Sequence, residues 1–218
     1  MKPTLSTIIF DYGGVLGLPL DPAREAAMER LARLPHERFQ EVYQRDRIEL
    51  DRGTIPTDEY WRRILAAGGV EATPALLSRI EREDALGWSR VNHRVVEWSS
   101  ELRDAGVRTA ILSNMPFEKL AFMRSDGQFR WIDDFQVTVF SCDCRLVKPE
   151  PSIYRLCLER LGAQPEECLF LDDVAVNVEG ARAVGLPALQ FTTSERMTSV
   201  LEKDWGLPVR RLRDGRKR

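Results

Sequence analysis

An aspartate directly after a short apolar run is the first residue of the chain that could do chemistry. The run consists of Leu5, Ile8, Ile9 and Phe10, and Asp11 follows it, ahead of Gly13 and Gly14. Such a run is typical of a buried parallel strand, and ligands of parallel sheets bind at the carboxyl ends of the strands. The glycines let the chain turn sharply and leave backbone amides exposed. Asp11 is therefore a candidate nucleophile.

Polar residues also follow two later apolar runs. Ser113 and Asn114 come after one, Asp172 and Asp173 come after the other, and Lys148 stands on a loop before a proline. Because the carboxyl ends of parallel strands meet at one edge of the sheet, these side chains are expected to lie beside the first aspartate. Three strand ends and one loop would thus form one site.

The residue types in this set predict a phosphate site with a metal ion. An aspartate attacking a phosphate dianion is repelled by about 4 kcal/mol per charge pair at 4 Å and an effective dielectric of 20. Mg²⁺ held between Asp11 and Asp173, together with the ammonium of Lys148, would remove that repulsion. Ser113 and the amide of Asn114 could then hold a phosphoryl oxygen. The site is expected to run phosphoryl chemistry.

Composition excludes several other classes. The chain has 218 residues and a formal charge of -2, which argues against a global nucleic-acid or anionic-membrane footprint. No apolar stretch approaches a membrane span, and the start lacks a signal-peptide core. We expect a cytoplasmic protein, a monomer or weak homodimer, with reduced cysteines, no membrane partner and no specific nucleic acid. The basic stretch 210–218, with six Lys or Arg residues, is expected to be a solvated tail.

The order of predicted elements indicates an α/β fold with an early insertion. Four helix-like segments follow the first strand, at residues 22–34, 36–50, 57–67 and 74–82. From about residue 92, strands and helices alternate, which predicts a parallel sheet with helical crossovers. We expect a core formed by residues 1–17 and 90–218, with a helical cap over residues 18–89.

The motifs FDYGGVL, ILSN, LVKPEPSIY and FLDDVAVNVEGA occur in an order that resembles the haloacid dehalogenase-like hydrolase superfamily. They span residues 8–182, and the insert is similar to the small helical cap of subfamily I. The resemblance implies a Rossmann-like parallel sheet core and a Mg²⁺-dependent phosphomonoester hydrolase that acts on a small phosphorylated metabolite. It also implies an aspartyl-phosphate intermediate on Asp11.

The resemblance further implies a role for each matching residue. Ser113 and Asn114 would contact the phosphate, Lys148 would neutralise charge, and Asp173 would ligate the metal. Two more residues would support them: Asp172 as an outer or alternate ligand, and Asn177 as the residue that orients the metal's water or the lysine.

Gly13 departs from the pattern of the family's phosphatases. Most of them have an aspartate at this position, which protonates the leaving group, a role worth about 10² to 10⁴ in rate. The family also uses the main-chain carbonyl at this position as a metal ligand, and Gly13 retains that carbonyl. We therefore expect Mg²⁺ binding to persist and activity to be reduced or to depend on the leaving group.

Two alternatives stay open at the level of sequence. A 2-haloacid dehalogenase also lacks the second acid, works without metal, and has a tyrosine that Tyr154 matches. The adjacent carboxylates Asp172 and Asp173 would repel its carboxylate substrate, however, and so favour metal and phosphate. A catalytically weak metal- or ligand-binding protein is supported by Gly13 alone. Aromatic and charged residues of the insert could contact substrate, but most are expected to be core or surface: Tyr43, Arg47, Trp61 and Trp88.

Overall fold

The computed structural model describes residues 5–192 and 195–213 of the chain. Five strands form one sheet in the order β3-β2-β1-β4-β5, and every pairing is parallel. The strands are β1 Thr7–Phe10, β2 Arg108–Ser113, β3 Val137–Phe140, β4 Cys168–Asp172 and β5 Ala188–Gln190. This is the α/β fold with a parallel sheet that the alternating elements predict.

Helices cover both faces of the sheet and fill the segment between its first two strands. The helices are α1 Pro22–Ala32, α2 His36–Arg45, α3 Arg47–Arg52, α4 Thr57–Ala67, α5 Pro74–Gly87, α6 His93–Asp104, α7 Phe117–Ser125, α8 Ser141–Cys144, α9 Pro151–Leu161, α10 Ala175–Ala183, α11 Glu195–Lys203 and α12 Arg210–Arg213. Within the described ranges, no helix combines the length and the apolar composition that crossing a bilayer would require.

The central strand β1 contributes to two hydrophobic cores, one on each face of the sheet. Ile8 and Phe10 belong to the core that contains Trp98 of α6. Ile9 belongs to the opposite core, which contains Tyr154 of α9. These three side chains are fully buried, which explains why consecutive residues at the end of this strand are all apolar.

Helices α1 to α5, which we call the helical segment (residues 22–87), have a hydrophobic core of their own. Phe39, Tyr43 and Trp61 are among its buried residues. The sequence predicts one helix over residues 36–50, but the structure has two, because the chain leaves helical geometry at Asp46 (φ -109°, ψ 12°). The predicted helix over 74–82 extends to residue 87.

The basic stretch near the C-terminus is not a solvated tail where the structure describes it. Residues 210–213 form α12, which packs against α6. Leu212 is 5% exposed, and the backbone N–H of Arg211 donates to the Glu101 carboxylate over 2.8 Å. The expectation was wrong for these four residues, because one apolar side chain among the arginines anchors the turn. Residues 214–218 lie outside the described residues.

Candidate active site

Asp11 lies where the central strand ends. Its N–H donates to the carbonyl of Leu171 on β4 over 2.8 Å, which continues the sheet pairing by one residue. Its carboxylate accepts the N–H of Tyr12 over 2.7 Å, and the residue is 6% exposed. The strand and the following turn thus fix the carboxylate in a buried position at the edge of the sheet.

Gly14 brings this turn against a second carboxylate. Its φ is +68°, a conformation that other residues rarely adopt. A Cβ at this position would lie 2.0 Å from an Oδ atom of Asp173, so the carboxylate lies in the space that a side chain would need. A glycine is therefore required here for both backbone and space.

Lys148 lies between two carboxylates and is 1% exposed. Its Nζ is 2.8 Å from Oδ1 of Asp11 and 2.6 Å from Oδ2 of Asp172. Burial by itself would lower the pKa of this lysine, but the two carboxylates raise it above its usual value. The lysine is therefore a fixed cation at the site.

Asp172 is fully buried and positions other groups. Besides Lys148, it accepts the side-chain amide of Asn177 over 3.1 Å and the N–H of Val174 over 2.8 Å. Asn177 in turn is held by the hydroxyl of Tyr154, which donates to its carbonyl over 2.7 Å. Asn177 therefore contacts Asp172, the carboxylate that pairs with Lys148.

The three aspartates form a cluster that fits a hard cation. Carboxylate oxygens of Asp11, Asp172 and Asp173 lie within 4.8 Å of one another. Burial raises the pKa of Asp11 despite the pairing with Lys148, and burial followed by the charge of Asp172 raises the pKa of Asp173. The ammonium of Lys148 alone therefore does not fully neutralise the three carboxylates. Carboxylate oxygens are ligands that Mg²⁺ prefers.

Asn114 and Ser113 follow β2 into the same edge. The side chain of Asn114 accepts the N–H of Lys148 over 2.8 Å and donates to its carbonyl over 2.9 Å, which fixes the lysine loop. Ser113 is 2% exposed and lines the same cavity. The amide of the Asn114 side chain is thus used within the protein, a role that the sequence did not indicate.

Gly13 does not need to be glycine for conformational reasons. Its φ of -64° and ψ of 132° are open to any residue. A Cβ there would lie 3.5 Å from the Trp88 ring, an ordinary contact distance. Neither the backbone conformation nor the available space therefore requires a glycine at this position.

A cavity of about 300 Å³ connects this cluster to the helical segment. Asp11, Ser113, Asn114, Lys148, Asp173 and Asn177 line it from the sheet edge, as do the residues Tyr43, Arg47, Asp51 and Trp88 from the other side. Three of the four insert residues expected to be core or surface thus line the cavity; Trp61 is buried in the helical segment's core.

Sequence reasoning missed Lys119, which also lines the cavity. It lies on α7 and is 5% exposed. A lysine in a helix ordinarily indicates a solvated face, so its position emerges from tertiary packing alone. A second cavity of about 440 Å³, beside α7 and residues 127–135, contains none of the candidate site residues.

A family model described as haloacid dehalogenase-like hydrolase matches residues 5–185. The chain belongs to the haloacid dehalogenase-like hydrolases. It is 29% identical over 196 residues to the phosphorylated carbohydrates phosphatase of Thermotoga maritima, covering 84% of this chain and 82% of that one. It is 25% identical over 219 residues to bifunctional epoxide hydrolase 2 of Sus scrofa, covering 94% of this chain and 40% of that one. The chain thus spans less than half the length of the pig protein.

Solved structures of haloacid dehalogenase-like enzymes share the fold. An enzyme from Bacteroides thetaiotaomicron, in complex with magnesium and inorganic phosphate, superposes with a TM-score of 0.70 at 23% identity, over 88% of this chain and 96% of that one. An L-2-haloacid dehalogenase from Xanthobacter autotrophicus superposes with a TM-score of 0.64 at 22% identity, over 94% of this chain and 84% of that one. At these identities the likeness concerns the fold.

Proposed function

We propose that this hydrolase is a Mg²⁺-dependent phosphomonoester hydrolase that acts on a small phosphorylated metabolite. The observation that carries the proposal is the cluster of Asp11, Asp172 and Asp173 with a single buried lysine among them. Its incompletely neutralised carboxylates fit a divalent cation better than a substrate carboxylate. The Thermotoga relative, a phosphatase of phosphorylated carbohydrates, agrees with this choice.

In the proposed site, each residue has one task. Asp11, Asp173 and the carbonyl of Gly13 would hold Mg²⁺, which when bound supplies positive charge to the phosphoryl oxygens. Lys148 would neutralise a further oxygen and orient Asp11. Ser113 and the backbone N–H of residue 114 would hold the phosphoryl group.

The reaction would proceed in two displacements. A carboxylate oxygen of Asp11 attacks phosphorus while the bond from phosphorus to the alcohol oxygen breaks, which leaves an aspartyl phosphate. The alcohol oxygen takes up a proton and leaves. Water then hydrolyses the acyl phosphate and restores the carboxylate.

Residues 18–89 would serve as the cap of this enzyme. Their aromatic and charged side chains line the cavity opposite the sheet edge, and closure of this cap over a bound substrate would exclude bulk water from the reaction. A cavity of about 300 Å³ suits a small metabolite. All four cysteines are free, which agrees with a reducing compartment such as the cytoplasm.

A panel of phosphate monoesters tests the proposal. We expect the wild-type protein to release phosphate with Mg²⁺ and to lose that activity with EDTA. Asp11→Asn should lower turnover by at least about 10³-fold because it removes the nucleophile. Asp133→Asn, at an exposed aspartate, is the matched control and should retain activity.

A parallel assay measures chloride release from 2-chloropropionate. Chloride release that does not need metal, with no phosphate release from any ester, would establish a dehalogenase and overturn the proposal. Absence of both activities, with Mg²⁺ bound in calorimetry, would establish a binding protein instead.

A further inference from the structure

Lys119 has an unusual environment for a lysine. Its Nζ lies 4.7 Å from the ring centroid of Tyr12 and 4.7 Å from that of Trp88. Among the described residues, Nζ forms no hydrogen bond and no salt bridge, although the residue is 5% exposed. Two aromatic faces therefore hold an ammonium whose protons remain free to bind something in the cavity.

The surroundings of Lys119 ease the loss of its proton. Burial, followed by the charge of Arg47, lowers its pKa to about 8, while Asp84, Asp51 and Asp11 act in the opposite direction. Proton transfer is most effective when the pKa of the group lies near the working pH. An ordinary exposed lysine, by comparison, holds its proton too tightly for this purpose.

Lys119 shares an aromatic neighbour with Gly13, the position where the site lacks a side chain. The indole that holds its ammonium is the one that a Cβ at Gly13 would contact at 3.5 Å. Both residues line the same cavity as Asp11. The glycine leaves the space of a side chain open beside this indole, and the lysine lines the cavity into which that space opens.

Three other titratable groups of the cavity already have partners. Lys148 is bound to two carboxylates, which raise its pKa. The hydroxyl of Tyr43 donates to Asp84 over 2.6 Å. Asp51 is paired with Arg47 over 3.1 Å. Lys119 differs from these groups, because its ammonium has no hydrogen-bond acceptor among the described residues and its pKa is lowered.

We propose that Lys119 is the proton donor for the leaving group, in place of the side chain that Gly13 lacks. The inference rests on the proposed phosphatase function. As the bond from phosphorus to the alcohol oxygen breaks, that oxygen takes a proton from Nζ, and the alcohol leaves. Water that attacks the aspartyl phosphate then gives a proton to the neutral amine, which restores the ammonium.

Two substitutions test the role on esters with different leaving groups. Lys119→Met should lower kcat/KM about 10²-fold for an alkyl phosphate, and less than about tenfold for p-nitrophenyl phosphate, whose leaving group needs no proton. Lys119→Arg keeps the charge but releases no proton at neutral pH, so it should resemble the methionine variant. Lys203→Met, at an exposed lysine of α11, is the matched control.

A rescue experiment adds a second readout. Gly13→Asp in the Lys119→Met background places an acid at the usual position, and it should recover at least about tenfold in kcat/KM for the alkyl ester. Thermal unfolding of each variant verifies that it is folded. Lys119→Met should fold, because it replaces a buried ammonium that forms no salt bridge by an apolar side chain and so removes a desolvation cost.

The outcomes separate the inference from the function on which it rests. An equal loss for both esters, restored by Lys119→Arg, would show that the charge binds substrate and would overturn the inference alone. An unaltered leaving-group dependence in Lys119→Met, or no rescue by Gly13→Asp, would also overturn it. A wild-type protein that releases phosphate from neither ester with Mg²⁺ would overturn the proposed function itself.

Discussion

Replacing Lys148 by methionine removes the cation that lies between two buried carboxylates. Asp11 and Asp172 are 6% and 0% exposed, and each loses an ammonium within 2.8 Å. Removing one partner of a buried ion pair costs about 3 to 5 kcal/mol. For a domain of this length, about 1 kcal/mol corresponds to about 2 to 4 °C, so we expect the melting temperature to fall by roughly 6 to 20 °C.

The loss should depend on pH in a defined direction. In the wild-type protein, burial raises the pKa of Asp11 to about 6 although Lys148 lowers it, so the pKa should rise further without the lysine. The folded variant then binds more protons than the folded wild-type protein in this pH range, so its free energy of unfolding recovers relative to wild type as the pH falls through the raised pKa. The deficit relative to wild type should therefore be largest near pH 7 and shrink towards pH 5.

Urea unfolding at both pH values, in EDTA, measures this deficit. Lys203→Met replaces an exposed lysine and should change the free energy of unfolding by less than about 0.5 kcal/mol. A deficit below about 1 kcal/mol at pH 7, or one that does not shrink at pH 5, would refute the view that Lys148 neutralises these carboxylates.

Two further substitutions test the supporting contacts. Asn114→Ala removes both hydrogen bonds to the lysine loop. It should lower the free energy of unfolding in urea by about 1 to 3 kcal/mol and should lower kcat. If stability and kcat are both retained, other contacts fix the loop. Gly14→Ala would place a Cβ 2.0 Å from Asp173 and should weaken Mg²⁺ binding in calorimetry at least about tenfold. Gly13→Ala, where a Cβ meets an ordinary contact, should weaken it much less, and equal losses would contradict the argument from space.

The strand ends of the site could be predicted because buried parallel strands are recognisable in the sequence as short apolar runs. Asp11, Ser113 and Asp172 each follow or end an apolar run, and parallel topology brings such ends together. The division of labour between the adjacent aspartates Asp172 and Asp173 is visible in three dimensions, where one is paired with the lysine and the other lies against Gly14.

Other parts of the site could not be predicted because they depend on contacts between distant segments. Lys119 lies on an ordinary helix, and its aromatic neighbours Tyr12 and Trp88 are far from it in sequence. The break at Asp46 contains neither glycine nor proline, the usual signals for the end of a helix. This break separates α2 from α3, and both helices contribute residues to the cavity, among them Tyr43 of α2 and Arg47 of α3.

The register of the sheet links the position of the nucleophile to the stability of the whole fold. Phe10 pairs with Ile111 on one side and with Leu171 on the other, and the side chains of β1 alternate between two separate cores. A deletion of one residue within β1 would shift the register and turn Asp11 to the wrong face of the sheet. The apolar side chains of the shifted part of the strand would then point into the opposite core. A stable folded molecule with its nucleophile displaced by one residue is therefore not accessible, and insertions or deletions are tolerated in the loops instead.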